Sequence, residues 1–121
     1  QNAAAALYDD EKHNQISCMH YDKNFDTARK YLSPFINDFQ IPKAGFFLWL
    51  PVKDDIKTAI DLWTHYSLRV MPGSFMAENV DDNNPGKGYL RIALVHENEL
   101  VINSMERLAG YLKNNYNEYN F

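Results

Sequence analysis

The chain has 121 residues, of which 45% are hydrophobic, with 16 acidic against 12 basic side chains and a formal charge of −4. That is the size and balance of one soluble domain, long enough to bury roughly two-thirds of the surface of its unfolded chain. The charge leaves no basic footprint for nucleic acid, no apolar run approaches the roughly 20 residues of a membrane span, and the single cysteine, Cys18, excludes an internal disulfide. With no secretory pattern in QNAAAALYDDEKH, a cytoplasmic protein is expected, with neither nucleic acid nor membrane as partner.

Residues 1–10 open with an alanine run of high helix propensity that has no capping residue before it and reads as the middle of an element. From Glu11 to about Ser33 the residues Phe25, Ala28 and Leu32 keep helical spacing, and Pro34 marks the boundary, because the residue before proline is pushed out of the helical region. Gly45 to Val52, GFFLWLPV, is too short for a helix and reads as a strand covered on both faces or lying at an interface. Asp54 and Asp55 then cap and charge a second helix running to about Tyr66, with Ile56, Ala59, Ile60 and Trp63 forming one stripe. Leu68 to Met71 predicts a short strand stopped by Pro72 and Gly73, a turn pair that lets backbone approach a ligand closely. The loop chemistry of DDNNPG at 81–86 leads into a further strand, YLRIALV. After His96 a last helix places Val101, Met105, Leu108 and Leu112 on one face.

Inside that apolar strand stands Arg91, and a charged guanidinium among core residues costs free energy unless an anion meets it. The anion could be an internal Asp or Glu, or a ligand carboxylate or phosphate. Other candidates read more plainly as structure. His13 and His20 are seven apart with nothing nearby to complete a metal site, and His96-Glu97-Asn98-Glu99 is not a zinc motif but suits the start of a helix. Pro85-Gly86-Lys87-Gly88 lacks the first glycine and the Ser/Thr of a phosphate loop and precedes a strand, so it reads as a turn. The pairs Asp9-Asp10, Asp54-Asp55 and Asp81-Asp82 are expected in water at element ends, Cys18 as an inert buried thiol, and Phe46, Phe47 and Trp49 as core with pocket lining as the alternative.

Taken in order, these segments resemble the C-terminal portion of the class I/II aminotransferases, the pyridoxal-phosphate enzymes related to aspartate aminotransferase. QNAAAAL followed by Asp10-Glu11 and His13 is similar to the family's helix after the cofactor lysine region, AGFFLWLPV resembles its Gly-x-Phe-x-Trp strand, and LRVMPGSFM resembles its Pro-Gly turn. NPGKGYLRIALV resembles the strand that carries the family's substrate-binding arginine, and with the ending ALVHENE it looks closest to succinyldiaminopimelate aminotransferases, which act in lysine and cell-wall biosynthesis.

The resemblance implies an α+β fold, a small mixed sheet of about three strands with helices packed on it, the C-terminal domain of fold type I pyridoxal-phosphate transferases. It spans 1–121, with 1–10 as the remnant of the preceding interdomain helix region. By the same resemblance Arg91 grips the α-carboxylate of an amino-acid or keto-acid substrate, and Gly45, Phe47, Pro72 and Gly73 are candidates to line the pocket. No catalytic residue is expected in this chain and no metal. The cofactor is pyridoxal 5'-phosphate, but none of the eight lysines (Lys12, Lys23, Lys30, Lys43, Lys53, Lys57, Lys87, Lys113) stands in a motif matching the family's Schiff-base lysine. The family's Asn-Arg pair in the first helix is also missing, since Ser17 and Cys18 precede Tyr21. The expected partners are therefore a large cofactor-binding domain, in cis or separately encoded, the substrate, and further copies of the chain through exposed apolar surface. The competing reading is a non-catalytic module that binds a partner or a small carboxylate.

Overall fold

The computed structural model describes residues 11–37 and 39–115; the expectations for residues 1–10, including Asp9-Asp10 and the alanine run, lie outside them. The elements in chain order are α1 (Glu11–Leu32), β1 (Phe47–Pro51), α2 (Asp55–Tyr66), β2 (Met71–Pro72), a 3-10 turn (Gly73–Met76), β3 (Tyr89–Ala93) and α3 (Asn98–Asn114). The three strands form one sheet in the order β1-β3-β2. The expected α+β layer of helices on a small three-stranded sheet is what forms, but the sheet is antiparallel throughout rather than mixed, since both neighbours of β3 run against it. No helix among the described residues is long and apolar enough to cross a membrane.

Period-2 alternation decides which side of the sheet is core. Leu48 and Leu50 of β1 and Leu90 and Ile92 of β3 are buried, and they join Phe25, Ala28 and Leu32 of α1 and Val101, Met105, Leu108 and Leu112 of α3 in one hydrophobic cluster. The apolar stripe expected for the last helix is thus its core face. The helix α1 stops at Leu32, just ahead of Pro34, as that proline requires. Helix α2 starts where Asp54, in extended conformation, accepts from the Lys57 amide at 2.9 Å, and it ends at Ser67 in the left-handed region with φ 53°.

Two expectations about burial are corrected, and the side of α2 that carries its stripe is fixed. Of the two settings expected for strand β1, coverage on both faces is excluded, because Phe47, Trp49 and Pro51 alternate with the buried leucines and point the other way. Helix α2 buries Asp55, Thr58 and Leu62, which turns the stripe of Ile56, Ile60 and Trp63 outward, Trp63 being 59% exposed. Cys18 is exposed rather than buried, since it stands in the first half of α1, where none of residues 11–20 is buried, ahead of the stretch from Asn24 to Leu32 that packs on the core.

One buried polar residue locks the helices to the sheet. Asn24 is fully buried, and its Nδ2 donates to the carbonyls of Leu94 (2.8 Å) and His96 (2.9 Å) just beyond β3, while its Oδ1 accepts from Asn98 Nδ2 at 3.0 Å. Asn98 Nδ2 also donates to Thr27 Oγ1 at 2.9 Å. At the start of α3, Glu97 sits in the capping position without a side-chain hydrogen bond, so this latch, rather than a glutamate cap, fixes the helix entry. Asn24→Ala would leave two strand-end carbonyls without their donor, and urea denaturation is expected to show a loss of about 1–3 kcal/mol.

A second local feature is a tight hairpin tip, Val80 bridging Asn83, with Asp81 at φ 49° and Asp82 at φ 62°. Two consecutive positive φ values define a type I′ turn, which glycine fits better than aspartate at its second position. Asp82→Gly is therefore expected to raise stability by up to about 1 kcal/mol, read as a higher Tm.

Candidate functional site

The face of the sheet opposite the helices carries the candidate site. Arg91 does not lie in the core: β3 has Leu90 and Ile92 turned inward and Tyr89, Arg91 and Ala93 turned outward, so Arg91 is half-buried on the open face. The continuous run YLRIALV concealed an alternating strand, and the expected burial of the guanidinium is corrected accordingly. Its neighbours across the sheet are Trp49 on β1 and Met71 on β2, each directly paired with it in register. Trp49 is 45% exposed, Tyr89 44% and Met71 40%, so the cation sits at the middle of an uncovered apolar and aromatic surface.

The guanidinium carbon of Arg91 lies 4.3 Å from the centroid of the Phe47 ring. A cation at that distance gains about 0.5–1 kcal/mol where the site is exposed and more where water is excluded. A guanidinium carries five N–H donors, and two of them side by side can make bidentate hydrogen bonds to a carboxylate. Among the described residues the ion pairs are Arg29 with Asp26 and Lys57 with Asp61, and no carboxylate pairs with Arg91. The internal-acid alternative for its partner finds no support there.

Beside Arg91 the open face deepens into a depression of about 470 Å³, walled by Trp49 and Tyr89 and floored by Gly73, Met76 and Gly86. The residues singled out from the sequence distribute unevenly around it. Gly73 lines the depression and Phe47 stacks on Arg91, whereas Pro72 is buried and faces a shallow apolar groove with Ile56, Ile60, Trp63 and Phe75. Gly45 is exposed ahead of β1, with φ 91°. Trp49 is surface rather than core, and Phe46 and Phe47 are half-buried, stacked on each other at 4.3 Å.

What the sequence reading missed is the polar knot that shapes the rim. Asp54 caps α2 in water, but its neighbour Asp55 is buried, only 3% exposed, which corrects the expectation of a solvated pair. Asp55 accepts from the amides of Ser74 (2.8 Å) and Gly88 (3.3 Å). Asn84 completes the knot: Nδ2 donates to the carbonyls of Ser74 (3.0 Å) and Ala77 (3.3 Å), and Oδ1 accepts from the Gly86 amide at 2.9 Å. The run Pro85 to Gly88 is a turn, as expected, and Gly86 crosses Gly73 so closely that neither could carry a Cβ. The one available signal was the Asp-Asp pair itself, since a single residue caps a helix and the second carboxylate must find other donors.

Burial alone would push the Asp55 carboxyl up, but the hydrogen bonds from Ser74 and Gly88 outweigh it and hold the pKa below the usual carboxylate range. A carboxylate with a lowered folded pKa stabilises the fold above its unfolded pKa, and that contribution is lost as pH falls through the folded value. Acid titration of stability should therefore be shallower in Asp55→Asn than in the wild type below the ordinary carboxylate range, measured by urea midpoints at a series of acidic pH values.

The lysines do not make a cofactor site. All eight are solvent-exposed, and Lys57 is paired with Asp61 at 3.0 Å, so none has the enclosed surroundings in which an amine is activated to form a Schiff base.

No family model matches the chain. It is 26% identical over 114 residues to LL-diaminopimelate aminotransferase from two strains of Dehalococcoides mccartyi, an alignment that covers 92% of this chain and 28% of those relatives. Among solved structures it superposes on an aminotransferase from Neisseria meningitidis with a TM-score of 0.80 and 33% identity, covering 88% of this chain and 28% of that one. An aromatic aminotransferase from Pyrococcus horikoshii shares the fold at a TM-score of 0.73 and 24% identity, over 93% of this chain and 30% of its own. The chain thus spans a little over a quarter of the length of the proteins it matches. In sequence and in fold the chain is similar to one segment of these longer aminotransferases.

Proposed function

We propose that this chain is the small, C-terminal domain of a pyridoxal-phosphate-dependent aminotransferase and that Arg91 binds the carboxylate of its amino-acid or keto-acid substrate. The observation that carries the reading is Arg91 itself, a cation over the Phe47 ring, on an open aromatic face and with no acidic partner among the described residues. A guanidinium so held orients a carboxylate in two N–H···O bonds and favours substrates that carry one. When bound, pyridoxal phosphate supplies the electron sink for transamination; the residues of this chain do not fit it, and we assign its lysine, its phosphate cup and the aspartate facing the pyridine nitrogen to a large domain in cis or separately encoded. Alone, the chain is not a catalyst in this reading.

Within that class we propose a diaminopimelate-type substrate, free or succinylated. This rests on the name of the curated relatives and on the strand NPGKGYLRIALV with its ending ALVHENE. The outward stripe of Ile56, Ile60 and Trp63 and the open sheet face supply the apolar surface through which the large domain, or a further copy, would dock.

The test is to mix the 121-residue chain with pyridoxal phosphate and record its visible spectrum. No stoichiometric absorbance band of a lysine-bound cofactor is expected. A specific band at one cofactor per chain would overturn the assignment of the cofactor to another domain.

A further inference from the structure

We infer that Asp55 is a positioning residue for Arg91: its carboxylate, by holding the Ser74 and Gly88 amides together, fixes the flank of the sheet against which Arg91 projects. The inference deepens the proposal that Arg91 binds a carboxylate and rests on it for its functional meaning, while its geometry stands independently.

The sheet holds the strand of Arg91 unequally. On one side, β3 is held by five residue pairs with β1, among them Arg91 with Trp49. On the other side β2 offers only Met71 opposite Arg91 and Pro72 opposite Leu90. Proline has no N–H, so this short ladder is poor in hydrogen bonds at the point where Arg91 needs a fixed neighbour. What the ladder lacks, Asp55 supplies from outside. Ser74 lies two residues after β2 and Gly88 one residue before β3, and Asp55 takes one amide from each, at 2.8 Å and 3.3 Å. Gly88 is fixed from the β1 side too, its carbonyl accepting from the Val52 amide at 2.8 Å.

Asp55 is free for this role because the preceding residue does the capping. Asp54 accepts from the Lys57 amide, which leaves the Asp55 carboxylate to turn away from the helix axis into the knot. The charged groups that line a depression with it are Lys57 on its own helix, Lys53 and Asp54 just ahead of that helix, and Lys87 from the loop. A neutral amide at this position would set an N–H donor against at least one of two N–H donors, so Asp55→Asn loses a hydrogen bond and gains a repulsive contact. The flank carrying Met71 is then released while the pairing of β1 with β3 remains.

The experiment uses the ring of Phe47 as a reporter, because a guanidinium stacked on it carries an upfield ring-current shift on the Arg91 side-chain protons. In the 121-residue chain, Phe47→Leu sets the zero of that shift. Asp55→Asn is expected to lose at least half of it, whereas Asp54→Asn, which weakens the helix cap, is expected to keep it. Retention of the full shift in a folded Asp55→Asn chain would overturn the inference, since a merely structural role lowers stability without moving Arg91. Should Asp55→Asn not fold, acid titration of the Asp54→Asn chain decides: the Arg91 shift must follow the titration of the Asp55 carboxyl carbon, and a flat Arg91 signal through that midpoint would overturn the inference. No ligand enters either measurement, so failure here is distinguishable from failure of Arg91 to bind a carboxylate.

Discussion

Under the proposed function, Arg91→Lys in the assembled enzyme is expected to lower kcat/KM for the amino-acid substrate by about 30-fold to several thousand-fold, corresponding to the roughly 2–5 kcal/mol lost when one partner of a desolvated charge pair is truncated. The substitution keeps the charge and removes the fork. A lysine ammonium presents its donors from a point, cannot meet a carboxylate in two parallel bonds and does not stack flat on Phe47. The loss should fall chiefly on KM if the pair is equally strong in the ground and transition states. A primary amine lacking the α-carboxylate is the control, and its low turnover should be unchanged by the substitution. Unchanged kinetics with the amino acid would remove Arg91 from the site.

The largest effect on the fold is expected from Gly86→Ala. A Cβ at Gly86 would lie within 2.6 Å of the Gly73 carbonyl carbon and closer still to its oxygen, so backbone rather than a flexible side chain blocks it. The reverse change fails for the same reason, since a Cβ on Gly73 meets the Gly86 carbonyl and lies 2.8 Å from the Tyr89 oxygen. Relief requires the two chain segments to part, which breaks the bond that Asn84 donates to Ser74 and those that Asn84 and Asp55 accept from Gly86 and Ser74. A loss of about 3 kcal/mol or more is expected, at the upper end for overpacking and beyond the usual range of point substitutions. Thermal unfolding of the two variants measures it. A Tm within a few degrees of wild type would show that the crossing has slack.

How far the site could be read from the residues depended on which rule governed each segment. The helices were legible because their signals are local: Pro34 ends α1, Asp54 begins α2, and Val101, Met105, Leu108 and Leu112 repeat at helical spacing on the buried face of α3. Strand β3 was legible as a strand but not as a surface. YLRIALV shows apolar residues at every position except Arg91, and only the alternation of Leu90 and Ile92 inward reveals that Tyr89, Arg91 and Ala93 face out. The same blindness made GFFLWLPV look covered on both faces, and it gave α2 an apolar stripe that turns away from the core, because Asp55 and Leu62 fix its rotation instead. Apolar residues at every position of a short strand do not by themselves tell a core face from an open one. Arg91 drew attention as a charge in an apolar run, and that signal survives the correction of its burial. The knot of Asp55, Asn84, Gly73 and Gly86 was illegible for a different reason: its members are 31 residues apart at the extremes, and no periodicity links them.

The central claim of the proposed function is that the Arg91 guanidinium meets a substrate carboxylate. If the chain works as proposed, the most direct test is a crystal structure of the assembled enzyme with a bound keto acid such as 2-oxoglutarate. The account predicts two parallel N–H···O contacts of about 2.7–2.9 Å between the Arg91 guanidinium and one carboxylate, with the Phe47 stack retained. A keto acid held by another cation, with Arg91 directed to solvent or paired with a protein carboxylate, would contradict it.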